Sequence, residues 1–119
     1  VEMEAAGPLV RGLMLANQTA SGTASAAQQN IGAVAAGDNV YGALHITSLA
    51  TGATLTLKIQ SDSTTGFSSP TDRITFSAAT GVTAEWGSAA GAITDQYWRA
   101  TWTLTGGSAS FIVSAGIGE

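Results

Sequence analysis

The chain has no cysteine, so neither disulfide staples nor thiolate metal sites contribute, and the redox compartment is left open. It has one histidine, His45, and only four basic residues: Arg11, Lys58, Arg73 and Arg99. These stand singly. Nothing resembles the basic stripe that neutralises phosphates, which argues against a nucleic-acid partner. Charged residues make up 10% of the sequence, against about a quarter in ordinary soluble domains. Chains of low hydrophobicity that stay disordered are usually strongly charged; this one is 45% apolar with a net charge of −4, and is expected to fold. No apolar run approaches the ~20 residues of a helical membrane span, so no membrane partner is expected. The sequence starts at Val1 without Met or a signal-like segment, which suggests that something upstream has been removed.

What the chain does have is period-two alternation, the pattern of half-buried strands. Residues 53–60 place Leu55, Leu57 and Ile59 on one face and Thr54, Thr56 and Lys58 on the other. Residues 96–104 repeat the pattern with Trp98, Ala100, Trp102 and Leu104 on the apolar side. In 110–117 the apolar set is Phe111, Val113, Ala115 and Ile117; in 39–49 it is Val40, Leu44 and Ile46, with Tyr41, His45 and Thr47 opposite. Weaker strands are expected over 9–15, 28–34, 72–77 and 82–86. Turn signals fall at 19–22, 36–39, 50–52, 63–70, 87–91 and 105–107, and residues 19–29 read as a loop of small residues. At 119 residues the length suits one domain, 1–119. Eight short strands, each with one apolar face, predict an all-β, two-sheet antiparallel sandwich. A jelly roll and an immunoglobulin-like sandwich both satisfy the pattern; the missing Cys…Trp…Cys spacing favours the jelly-roll-like form. Residues 1–7, VEMEAAG, alternate weakly ahead of Pro8 and read as an N-terminal arm, with Glu2 and Met3 as contacts to a partner, or as a short strand of the domain's own sheet.

Chemistry is sparse. No G-x-S-x-G elbow accompanies His45, and no second histidine joins it, so neither a catalytic triad nor a metal site is indicated. Asp62, Asp72, Glu85 and Asp95 could in principle supply a glycosidase pair, but all lie at strand ends or in loops, where Asp caps turn backbone. An Asp62–Arg73 or Asp72–Arg99 pair is the expected role, stapling the long link between residues 62 and 73. Two spaced carboxylates in SDSTTG fall short of a calcium loop. No catalytic residue, metal or cofactor is therefore assigned. Trp98 and Trp102 share the apolar face of Leu104 and read as core, which leaves Trp86 and Tyr97 as the candidate exposed aromatics, with stacking on sugars as one use of them. In the link itself, Gly66 permits a bend, Phe67 offers an apolar plug and Pro70 stiffens the exit. Phe67 either meets a partner or completes the domain's own packing.

Three stretches carry a resemblance: GPLVRG, VYGALHITSLATGATLTLKIQSDSTTGFSSPTDRITF and ITDQYWRATWTLTGGSASFIVSAGIG. Together they resemble small β-sandwich virion proteins of tailed bacteriophages. The match runs over nearly the whole chain from Gly7. It implies a non-enzymatic structural protein located in the virion and no catalytic residues to carry over. The expectation is a capsid decoration (cement) protein stabilising the phage head, binding the major capsid protein and forming a homo-oligomer. A tail or tail-tube accessory protein bound to a tail protein, and a carbohydrate-binding module at the virion surface, are the alternatives. Candidate partner contacts are Glu2, Met3, Tyr41, His45, Phe67 and Trp86.

Overall fold

Alternation in the sequence becomes alternation in burial. In the computed structural model, which describes residues 11–22, 24–26 and 28–118, Leu55, Leu57 and Ile59 are buried while Thr56 and Lys58 between them are half-exposed. The strands are β1 (Arg11–Ala20), β2 (Ala24–Ser25), β3 (Gln29–Asn30), β4 (Asn39–Leu49), β5 (Thr54–Asp62), β6 (Thr71–Thr75), β7 (Ala84–Ala90), β8 (Tyr97–Thr105) and β9 (Ala109–Gly118). They form two antiparallel sheets, β1-β9-β4-β7 and β2-β8-β5-β6, with β3 also pairing β8.

This order settles the topology. Taking β2 and β3 as one interrupted strand, the first strand pairs with the last, the second with the next to last, and so inward to the β5–β6 hairpin. A chain doubled on itself in this nested way and wrapped into two sheets is a jelly roll, not an immunoglobulin-like sandwich. The inner faces meet in one core, in which Trp98, Phe76 and Phe111 are the largest fully buried side chains. Trp102 packs edge-on to Phe111 with ring centroids 5.0 Å apart, a favoured aromatic geometry.

Several expectations need correction. Residues 87–91 are not a turn, because β7 runs through to Ala90. Gly87 lies opposite Gly42 in the sheet, and a Cβ on Gly42 would collide with Ile59 Cδ1, while one on Gly87 would come within 3.0 Å of Ile74 Cγ2. These glycines mark the close approach of the second sheet's side chains. β1 continues five residues past its expected end, through a bulge between Met14 and Ala16 that buries both Leu15 and Ala16 and so breaks the alternation. The 28–34 strand shrinks to Gln29–Asn30 and a lone bridge from Val34 to Ile93, with Gly32 at φ +104 interrupting it. Part of the 19–29 loop, Ala24–Ser25, pairs with β8.

The link between β5 and β6 is held differently from expectation. Asp62 pairs with no arginine; its carboxylate accepts backbone N–H groups from Ser63 (2.6 Å), Thr64 (3.4 Å) and Ser69 (3.0 Å). Arg73 instead pairs with Asp95 (3.2 Å), and Lys58 with Asp72 (3.0 Å). The sharp backbone conformation falls on Phe67 (φ 48), not on Gly66. Phe67 is buried, lies outside the intersheet core, and carries the Arg99 guanidinium 4.5 Å from its ring centroid. The long link therefore folds back on its own domain.

The Ser69 N–H bond, then those from Ser63 and Thr64, hold the Asp62 carboxyl below the usual carboxylate range, partly opposed by its burial. A group depressed in the folded state stabilises above its unfolded pKa, about 3.9, and loses that contribution as pH falls through the folded value. Asp62→Asn should therefore melt below the wild type at pH 7, and the gap should narrow as pH drops below about 4. A gap independent of pH would show that the loop does not depend on the charge.

Candidate functional site

The two outer faces of the sandwich differ in kind. On the β2-β8-β5-β6 sheet the exposed side chains are threonines and a chain of polar contacts. Lys58 Nζ and Gln60 Nε2 both donate to Asp72, and Arg99 Nε donates to Gln60 Oε1 at 3.0 Å. The Gln60 bond, with Lys58 beside it, holds the Asp72 carboxyl below its ordinary range. The charged groups of this face, Lys58, Asp72 and Arg99, thus have partners within the domain.

The outer face of β1-β9-β4-β7 carries no charged group among its described side chains: none is Asp, Glu, Lys or Arg. Glu85 belongs to the other side of β7 and accepts the Ser77 N–H. Register places Trp86 opposite Ala43, Ala43 opposite Ser114, and Ser114 opposite Met14. The row is thus large at both edges and small between them. Trp86 is 70% exposed and Met14 51%. Water-exposed apolar side chains of this size, gathered on one uncharged face, mark an interaction surface.

Between Trp86 and Tyr41 lies a shallow trough of about 200 Å³, floored by Gly42, Ala43, Ser114, Ala115 and Gly116. That is below the roughly 300 Å³ at which small-molecule pockets begin. Asn39 Nδ2 donates to the Tyr41 hydroxyl at 3.4 Å, fixing the trough's rim. His45 stands one row further along, between Ala84 and Ile112, neighbours that supply neither a carboxylate nor a nucleophile. No group of three His, Asp or Glu side chains converges among the described residues.

Three of the sequence-derived contacts, Tyr41, His45 and Trp86, therefore share this face. Phe67 does not: it is buried beneath Arg99, so it is withdrawn from the surface rather than presented to a partner. Glu2, Met3 and the whole of residues 1–7 lie outside the described residues. Tyr97 projects from the other sheet, so it forms no aromatic platform with Trp86. Sequence reasoning missed Met14, whose outward direction follows from the β1 bulge, and the floor residues Ser114 and Gly116. The latter were legible as the outward partners of Phe111, Val113 and Ala115.

No family model and no curated protein sequence matches the chain. Solved structures do share its fold. The VP2 subviral particle of infectious bursal disease virus superposes with a TM-score of 0.61 at 17% identity, over 93% of this chain and 32% of the other. The Gx strain of the same virus gives 0.60 at 15% identity, over 93% and 32%. Tripeptidyl peptidase 2 gives 0.57 at 7% identity, covering 91% of this chain and 10% of that one. The chain thus spans about a third of the length of the viral chains it is similar to. At these identities the likeness is one of fold.

Proposed function

We propose that the chain is a non-enzymatic structural protein of a virion, a capsid decoration protein on the head of a tailed bacteriophage. Its partner in that reading is the major capsid protein, and it acts in many copies. The observation that carries the reading is the uncharged outer face of β1-β9-β4-β7 with Trp86 exposed on it, in a jelly roll whose described polar groups serve the fold. Decoration needs no reactive group, only a rigid fold and an adhesive surface. The ion pairs and capped loop described above supply rigidity; Trp86 and the small residues beside it supply adhesion between the copies that cover the shell. Fold likeness to a viral subviral-particle protein agrees with a shell setting, and the phage assignment comes from the sequence resemblance.

A sugar-binding module is the rival use of an exposed tryptophan. Sugar sites combine a stacking ring with convergent polar groups. Around Trp86 the floor is glycine and alanine with one serine, which favours an apolar protein partner. Rebinding tests the reading: purified chain added to particles stripped of it should co-sediment at a fixed ratio and raise their thermal stability. Glycan titration should give no saturable tryptophan fluorescence response, and a response lost in Trp86→Ala would transfer the site to sugar recognition.

A further inference from the structure

We infer that the uncharged face of the β1-β9-β4-β7 sheet is occupied by a second copy of this chain, Trp86 of each copy seating over Ala43 and Ser114 of the other. The inference rests on the virion reading, in which copies of the chain stand side by side, and names the occupant of that face.

The face carries a knob and a hole together. Trp86 projects at the β7 edge, while Ala43, Ser114 and Gly116 leave a shallow apolar trough toward the middle. A surface that holds both complementary halves satisfies the requirement of an isologous two-fold contact, in which residue i meets j and j meets i. With the axis lying along β4, Ala43 meets Ala43 and each tryptophan falls one strand beyond, on the partner's β9. Small residues at the axis let the sheets approach closely.

Charge points to the same occupant. The chain carries a net charge of −4, so two copies repel in most orientations. Among the described residues, Asp38, Asp62, Asp72, Glu85 and Asp95 all lie off this face, so copies that meet through it set none of these carboxylates against its like. A polar or basic partner would find no charge here to pair with.

Area sets the strength. With the axis along β4, three strands of each copy (β9, β4 and β7) face each other; spaced about 4.8 Å apart and about seven residues long, they cover roughly 330 Å² per copy, or about 670 Å² in all. That is below the usual 1,200–2,000 Å² of stable complexes, so the contact is a weak one, with dissociation at roughly micromolar concentrations or above. Weak pairing is sufficient when copies are already held on a lattice, because the second contact is then effectively intramolecular.

Sedimentation velocity on the purified chain tests this, over about 1–500 µM, a range set by the weak contact expected from the area. The wild type should pass from monomer to dimer across the series. Ala43→Arg, which places an unpaired charge at the axis on an exposed position, should remain monomeric with an unchanged Tm, and Trp86→Ser should do the same. A wild type that stays monomeric throughout, or a folded Ala43→Arg that dimerises as the wild type does, would overturn the inference. Rebinding to stripped particles separates it from the reading beneath it. A monomeric wild type that still rebinds would remove the second copy and leave the virion role standing. A dimer that never rebinds would remove the virion role and leave the interface.

Discussion

Replacing Trp98 or Trp102 by alanine should cost the protein about 3–5 kcal/mol, the range for deleting a large aromatic from a packed interior. For a domain of this size that corresponds to a fall in Tm of roughly 10–25 °C. Both rings are almost fully buried, at 0% and 2% exposure. Each also has a polar duty. Trp98 Nε1 donates to the Gly32 carbonyl at 2.9 Å, and Trp102 Nε1 to the Gly22 carbonyl at 3.0 Å. These bonds fasten the irregular segments around β2 and β3, which have little strand pairing of their own, onto β8. Truncation therefore opens a cavity and orphans a carbonyl at once. Trp98→Phe should recover part of the loss, because it restores volume without the indole N–H. Thermal melting followed by circular dichroism reads all three variants, and a near-wild-type melt for Trp98→Ala would contradict the packing described.

Gly106→Ala is the second large effect, at about 2–4 kcal/mol, from left-handed strain and from steric overlap together. Gly106 has φ +86, and a Cβ there would lie 2.6 Å from the Gly52 carbonyl oxygen, a backbone atom that cannot swing aside. Gly52 is the natural control. It has nearly the same φ, +84, but open space around its missing Cβ. Gly52→Ala should therefore pay only the left-handed conformational term, about 1–2 kcal/mol. The difference between the two variants isolates the contact between the 50–53 turn and the turn joining β8 to β9. Equal losses would mean that the two turns do not abut as described.

Much of this architecture was legible in the chain because burial and period two coincide in its long strands. β4 matches its expected bounds, and β5, β8 and β9 differ by at most two residues at either end, since in each the large buried side chains recur at every second position through most of the strand. What was hidden has a common cause: local chemistry with two meanings. Gly87 reads as a turn, yet its use is to admit Ile74 from the facing sheet. The bulge at Met14 puts Leu15 and Ala16 both inside and so erases the alternation that would have extended β1. Asp62 was legible as a loop cap, but not its choice of backbone amides over Arg73, because the partner of a carboxylate depends on which loop atoms fold back to it. The candidate face was half visible. Tyr41, His45 and Trp86 could be drawn from the sequence as outward residues, whereas their sharing one sheet follows from the β4–β7 register.

The central claim is that this chain is a structural component of a virion. Electron cryo-microscopy of assembled phage particles whose genome carries this sequence tests the claim most directly. The account predicts jelly-roll density of this size, with extents near 41 × 36 × 21 Å, repeated at equivalent positions on the outer surface of the head. Particles complete in every repeated component yet lacking that density, with the chain recovered only in the soluble fraction of the infected cell, would contradict it.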